Sequence, residues 1–351
     1  MKAERLAVLR DAGFAVPRFV ALSAGDELTA STIAWIRDEL GDGPLAVRSS
    51  GIEEDLADAS FAGMYDTVLD VIGDEALATA IESVRGSGSG ERVRAYRSDV
   101  AVGPIGVMVQ QMLRCDFGGV AFSHGPAGDA ETATVVAVAG SPEPLVAGRA
   151  SGESWRIRHQ GWAAASETDE VELSAGLAAE VARLAVSVAE HFGEAQEIEW
   201  GYESGRLWLL QARPITAVDG TDLEACGGSD GEVLATGTAA SPGVVSGTVR
   251  VVMNVDDLSA VLAGEILVAP TTEPSWTPVF GIVAAVVTDV GSLAAHAAVV
   301  AREFGIPAVV GTVDGTTRLR TGDRVTVDGA AGEVYRLSDG PLRPPPRRAS
   351  G

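Results

Sequence analysis

Residues 289–312 read DVGSLAAHAAVVAREFGIPAVVGT, and this stretch decides how the second half of the chain is built. Immediately before it, Ala284 to Thr288 is an apolar run of core-strand length. His296 opens a helix, because Ala297, Val300, Ala301 and Phe304 fall at i, i+3, i+4 and i+7. Gly305 stands where that helix stops, Pro307 follows, and Ala308 to Val310 is the next strand. The pattern is strand, loop, helix, strand, with a histidine at the helix start. Free backbone N–H groups and the helix dipole favour an anion there. A neutral imidazole is a competent nucleophile near pH 7. By spacing alone, an ordinary capping histidine fits as well as a phosphoryl acceptor.

Working outward, strands at Gly247 to Val252, Glu265 to Ala269 and Arg324 to Val327 complete a unit of domain size. Upstream, residues 217–234 (AVDGTDLEACGGSDGEVL) are dense in Gly and Asp and carry no apolar period, which reads as a flexible linker. Before it, Pro44 to Arg48, Ile105 to Leu113, Thr134 to Ala139 and Arg206 to Leu210 read as strands. Residues 174–192 read as a helix, with Ser174 as N-cap and Gly193 as stop. Gly86 to Gly90 reads as a loop, with a helical pattern resuming at Glu91. The Pro- and Arg-rich tail from Ser338 is expected to be disordered.

A chain of 351 residues fits two domains, and 26 Lys plus Arg against 49 Asp plus Glu leave a net charge of −23. That field repels nucleic-acid backbones and anionic lipid. The longest apolar run, Ile282 to Val287, is far short of a membrane span, and the start MKAER has no signal-peptide core, so a cytoplasmic protein is expected. Cys115 and Cys226 make no disulfide framework. Lys2 is the only lysine, so there is no Walker A loop, and lysine-based covalent chemistry has only Lys2 to draw on. His124, His159 and His191 are scattered without zinc-type spacing, and His191 reads as structural.

The 289–312 stretch resembles the phosphohistidine signature of the phosphoenolpyruvate-utilising enzymes, a group that includes phosphoenolpyruvate synthase, pyruvate phosphate dikinase and rifampin phosphotransferase. GTAASPGVVSGTVRVV, EILVAPTTEPSWTPVF and TGDRVTVDGAAGEV look like the opening, middle and end of the same mobile domain. In the first half, LAVRSSGIEEDLADASFAGMYDTVLDV, GGVAFSHGP and QEIEWGYESGRLWLLQARPIT resemble the family's ATP-binding domain. The resemblance runs from Lys2 to Leu337.

It implies an α/β and α+β chain. An ATP-grasp-like nucleotide-binding domain (1–216) is followed by the linker (217–234), a swivelling β/α phosphohistidine domain (235–337) and the tail (338–351). It implies ATP and Mg²⁺ as cofactors and His296 as the residue that takes a phosphoryl group. Carried over residue by residue, Lys2, Arg48, Gly63, Asp66, Thr67, Ser123, Glu143, Glu197, Glu199, Gln211 and Arg213 match the ATP-binding positions, with Glu199 and Gln211 on the metal. Arginine suits phosphate, and carboxylate and amide oxygens suit Mg²⁺. The implied reaction is dikinase-type: ATP phosphorylates His296 with release of AMP and phosphate. The group then passes to a small-molecule acceptor or to a substrate on a partner subunit. Three departures stand out: Ala295 replaces the usual Ser or Thr, Ser292 a Gly, and Gly140-Ser141-Pro142 a glycine-rich run. No pyruvate-binding barrel falls within the sequence. Ala295 and the altered loop before Glu143 support the alternative of a non-catalytic nucleotide-binding or phosphocarrier subunit of a larger phosphoenolpyruvate synthase-like complex.

Overall fold

The computed structural model describes residues 2–50, 55–56, 59–60, 67–87, 105–125, 130–147, 149–150, 152–166, 172–215, 231–293 and 295–337. The sequence-derived positions Gly63 and Asp66, the helical pattern from Glu91, residues 217–230 of the linker and the tail lie outside them. The chain divides into two compact units, one holding most residues up to Ile215 and the other most residues from Thr216 onward.

The first unit begins with α1 (Lys2–Asp11), β1 (Phe19–Leu22), α2 (Ala30–Leu40) and β2 (Leu45–Ser49). A two-residue ladder, β3 (Asp55–Leu56) with β4 (Ala59–Ser60), precedes β5 (Thr67–Val71), α3 (Asp74–Ser87) and β6 (Val107–Gln111). Strands β1, β6, β2 and β5 lie in that order in an antiparallel sheet. Helices α2 and α3 cover it with Ile33, Ile36, Leu77 and Ile81, against Leu45, Val47 and Val109.

A larger antiparallel sheet follows: β7 (Phe117–Phe122), β8 (Thr132–Ala139), the short α4 (Glu143–Val146), β9 (Glu153–Arg158), β10 (Ala164–Ser166), α5 (Ala175–Phe192), β11 (Gln196–Glu203) and β12 (Arg206–Pro214). Its strand order is β10-β9-β8-β7-β11-β12. Helix α5 is long and amphipathic. The Ser174 hydroxyl accepts from the Leu177 N–H, and Gly193 ends the helix in the left-handed region at φ 73°. Its buried face, with Val181, Ala185 and Val188, packs with Ile198, Trp200 and Leu209 of the sheet.

The second unit is one mixed sheet of β13 (Val233–Thr236), β14 (Thr238–Ser241), β15 (Val244–Val251), β16 (Ile266–Ala269), β17 (Ala285–Thr288), β18 (Ala308–Val310), β19 (Arg324–Asp328) and β20 (Glu333–Arg336). Strands β15 to β18 run parallel, and helices α6 (Thr277–Phe280), α7 (His296–Phe304) and α8 (Gly315–Arg318) lie in the connections along them. Central strands β16 and β17 are buried along their whole length, as expected of parallel strands covered on both faces. One sequence expectation needs correction. Val233 and Leu234, assigned to the linker, stand in β13, which pairs with β20. Leu234 is buried in the core, and this apolar pair outweighs the Gly and Asp before it.

Candidate functional site

In β11 successive side chains alternate between faces. Ile198 and, beyond a bulge, Trp200 enter the core under α5, so Glu197 and Glu199 share the other face. In β12 the same rule puts Gln211 and Arg213 side by side. The ladder register sets Glu199 opposite Gln211 and Glu197 opposite Arg213. Four polar side chains therefore form a two-by-two patch on one face of the larger sheet.

Arg48 reaches this patch from the smaller sheet. Its Nη2 donates to Glu199 Oε2 at 3.1 Å and its Nη1 to Gln211 Oε1 at 3.2 Å. Arg213 Nη2 donates to Glu197 Oε1 at 2.6 Å. The Arg48 and Glu199 side chains are only 15% and 14% exposed. Charges this far from water have to be paired, and each guanidinium here meets a carboxylate. Thr67 lies directly across the ladder from Arg48. Ser50, two residues beyond Arg48, accepts the Ala3 N–H at 3.2 Å, which fixes the start of α1, and so Lys2, at the end of β2.

Ser123 lies one strand away. It is fully buried, accepts the Gln196 N–H at 2.8 Å and pairs with His124 Nδ1 at 2.9 Å. Glu143 opens α4, where its N–H donates to the Ser141 hydroxyl at 3.3 Å. Seven of the sequence-derived positions, Lys2, Arg48, Thr67, Glu197, Glu199, Gln211 and Arg213, thus lie on or beside the elements that meet where Arg48 of the smaller sheet reaches the larger one. Ser123 is tied into the strand ends.

His296 belongs to the second unit. It opens α7 after the loop from Asp289, with Ala295 as an N-cap that offers no side-chain bond. Nδ1 lies 2.8 Å from Thr272 Oγ1, Nε2 lies 3.1 Å from Thr277 Oγ1, and the Phe280 ring meets the imidazole edge-on. The residue is 7% exposed, and burial pushes its pKa down to about 3, so the ring is neutral at pH 7. Each threonine hydroxyl can donate or accept, so either tautomer is satisfied, and the lone pair falls on the nitrogen opposite the one that donates. Thr272 and Thr277 were not singled out by sequence reasoning. Their signal was proximity in the fold, since they precede His296 by 24 and 19 residues. The other histidines are packing residues or strand-end groups: His191 lies edge-on to Phe14 and Phe192, and His159 stacks near Trp162.

For Mg²⁺, Glu199 and Gln211 supply hard oxygen donors one strand apart, the kind that binds the ion together with phosphates and water. Among the described residues no three His, Cys, Asp or Glu side chains cluster as a protein-only metal cage. No helix among them is long and apolar enough to cross a membrane.

The pyruvate phosphate dikinase AMP/ATP-binding domain matches residues 26–171 and 159–225, and the mobile domain of PEP-utilising enzymes matches residues 261–332. A phosphoenolpyruvate synthase of Deinococcus radiodurans is 36% identical over 344 residues, covering 84% of this chain and 44% of that protein. A probable phosphoenolpyruvate synthase of Archaeoglobus fulgidus is 34% identical over 327 residues, covering 83% of this chain and 43% of that protein. The chain thus spans less than half the length of these relatives. Among solved structures, a D-alanine–D-alanine ligase from Bacillus anthracis aligns over 61% of this chain and 55% of its own, with 12% identity and a TM-score of 0.35. The chain belongs to the pyruvate phosphate dikinase AMP/ATP-binding family and continues into the mobile domain of the phosphoenolpyruvate-utilising enzymes.

Proposed function

We propose that this chain is an ATP-dependent phosphotransferase of dikinase type in which His296 carries the phosphoryl group. The observation that carries the reading is the state of His296: a buried, neutral imidazole at the start of a helix with no side-chain cap. A charged imidazolium has no lone pair to attack with, whereas this ring keeps one at neutral pH. The N–H groups of the first helical turn, which have no acceptor within the helix itself, suit the negative charge that arrives with a phosphoryl group.

ATP is held on the first unit. Arg48 and Arg213 exchange part of their carboxylate pairing for phosphate oxygens, with Lys2 near the end of β2 and Thr67 across the ladder from Arg48. Glu199 and Gln211 hold Mg²⁺, which when bound neutralises phosphate charge. A ring nitrogen of His296 forms a bond to the β-phosphorus as the bond to the α-phosphate oxygen breaks, and AMP leaves. The γ-phosphoryl goes to water or phosphate. The group on His296 is then passed to an acceptor, either a small molecule or a substrate on a partner subunit. Catalysis in this scheme is positioning plus charge neutralisation.

The test is intact mass after incubation with Mg²⁺ and ATP, with phosphorus NMR of the nucleotide products. The expected outcome is one acid-labile phosphoryl adduct, absent in His296→Ala, with AMP formed. An adduct that survives in His296→Ala, or ADP as the sole product, overturns the reading. A chain that binds nucleotide and forms no adduct points to the non-catalytic subunit instead.

A further inference from the structure

The loop that delivers His296 starts at Asp289, and a neighbouring turn, GTVDGT at residues 311–316, grips that starting point. The Asp289 carboxylate accepts the Thr316 N–H on Oδ1 at 2.8 Å and the Thr312 hydroxyl on Oδ1 at 3.3 Å, and Oδ2 accepts the Thr316 hydroxyl. The Asp289 carbonyl accepts the Val313 N–H at 2.9 Å, and the Thr288 carbonyl accepts both the N–H and the hydroxyl of Thr312, each at 3.0 Å. Gly315 is required by this arrangement, because a Cβ there would stand 2.5 Å from Thr312 Oγ1 and 3.1 Å from Asp289 Oδ1.

The turn is strained. Val313 has φ 69°, and the Asp314 N–H donates to the Thr312 carbonyl two residues back at 2.8 Å. That is a left-handed γ-turn centred on a β-branched residue, a rare and costly geometry. The Val313 side chain is 84% exposed, so no burial of it compensates. Such strain persists where the surroundings over-determine it, and here the surroundings are the bonds to Thr288 and Asp289.

The other side of the loop is pinned as well. The Asp289 N–H donates to the Ala269 carbonyl at 3.1 Å and the Val290 N–H to the Pro270 carbonyl at 2.8 Å. Those acceptors begin the segment carrying Thr272, whose hydroxyl meets His296 Nδ1. Near the far end, Arg302 Nη2 donates to the Leu293 carbonyl at 2.9 Å. Asp289 therefore stands where the loops leaving the C-terminal ends of three consecutive parallel strands, β16, β17 and β18, are stitched together. Releasing it frees the His296 loop relative to the threonines that orient the ring.

We infer that Asp289, clamped by the 311–316 turn, is the positioning residue for His296: it fixes the imidazole between Thr272 and Thr277 without touching the reacting atoms. The inference rests on His296 being the phosphoryl acceptor, and its structural half can be read without that chemistry.

The experiment uses the full chain with Asp289→Ala, Thr316→Val and Thr316→Ser. Three readouts are taken: phosphorylation rate against ATP concentration, folded fraction by circular dichroism, and ring ¹⁵N shifts of His296. The rate at saturating ATP should fall about tenfold in Thr316→Val and up to about a hundredfold in Asp289→Ala, the scale on which small misplacements act. KM for ATP should stay within about twofold, because the ATP-matching residues lie in the other unit. Thr316→Ser, which keeps the hydroxyl, should restore the rate. The His296 ring should show neutral, hydrogen-bonded ¹⁵N shifts in the native chain and shifts moved toward those of a free neutral ring in Asp289→Ala. Native rates in both Asp289→Ala and Thr316→Val, or losses matched by the unfolded fraction alone, overturn the inference. If the native chain takes no phosphoryl group from ATP, the proposed function fails. The ring spectrum then decides alone: an unchanged spectrum in Asp289→Ala removes Asp289 from its role, and a changed one upholds it.

Discussion

His296 is held uncharged by burial, and this links acid pH to stability. In the unfolded chain the ring titrates near 6.5; in the folded chain it titrates at about 3. Between those values the unfolded state binds a proton that the folded state refuses, so stability is intact above about pH 6.5 and declines as pH falls toward 3. The slope from this one group is at most about 1.4 kcal/mol per pH unit. Urea unfolding of the native chain and His296→Gln at pH 7 and pH 4.5 checks it. The glutamine variant should lose less stability on acidification than the native chain, and equal losses contradict the assigned cause. On the first unit, Arg48 and Arg213 are the residues to change. A charged hydrogen-bonded contact contributes roughly 1.5–3 kcal/mol, so Arg48→Ala and Arg213→Ala should each lose more than tenfold in His296 phosphorylation. Removing Arg48 also leaves Glu199 as a nearly buried carboxylate without its partner, so Arg48→Ala should lower the thermal midpoint as well. Unchanged exchange of labelled AMP into ATP in both variants would move the nucleotide site elsewhere.

Elements whose signal is local were legible in the sequence, and contacts whose signal is non-local were not. Helix α5 was read from its apolar spacing with Ser174 and Gly193 at its ends, and α7 from His296, Phe304 and Gly305, because caps and periodicity are written within one segment. Strand ends were less legible: the run read as Arg206 to Leu210 continues to Pro214, since cross-strand pairing with β11 rather than composition sets its length. For the candidate site, residue types came through the family resemblance. That Glu197 faces Arg213 and Glu199 faces Gln211 follows only from the hairpin register. Thr272, Thr277 and Asp289 lie in stretches that resemble the family, but their contacts with His296 or its loop are non-local and come from the loops that the fold brings together. The register of β7 against β8 offers a direct test of an element. A Cβ on Gly119 would stand 1.9 Å from the Val136 carbonyl oxygen and 3.0 Å from the Trp200 ring. Gly119→Ala must therefore part the two strands or shift the fully buried Trp200. It should destabilise by about 3 kcal/mol or more, the scale of core overpacking with a broken ladder contact. Gly205→Ala, at a positive φ of 80° but with nothing within 4 Å, should cost only about 1 kcal/mol. Equal costs by thermal or urea unfolding would mean that strain at Gly119 is not steric.

At the scale of the whole molecule, the chemistry is split between two units that have separate hydrophobic cores. The ATP-matching side chains are on one and His296 is on the other. Under the proposed function a single imidazole has to serve two sites, because nucleotide occupies the Arg48 patch and the acceptor must bind elsewhere. Residues 217–230, rich in Gly and Asp, join the units in sequence. Fourteen residues reach at most about 50 Å when extended, and a Gly-rich chain of that length has a root-mean-square span of roughly 20 Å. Deleting seven of them halves the reach. Two half-reactions are then measured apart: phosphorylation of His296 by ATP, and discharge of the pre-phosphorylated chain by acceptor. Calorimetry of the same variant should show both units unfolding as in the native chain. Loss of one half-reaction with the other retained is the expected outcome, since a shortened tether restricts His296 to one of its two partners. Two unaffected half-reactions would mean that His296 meets ATP and acceptor in one fixed arrangement, and carriage by domain movement would be abandoned.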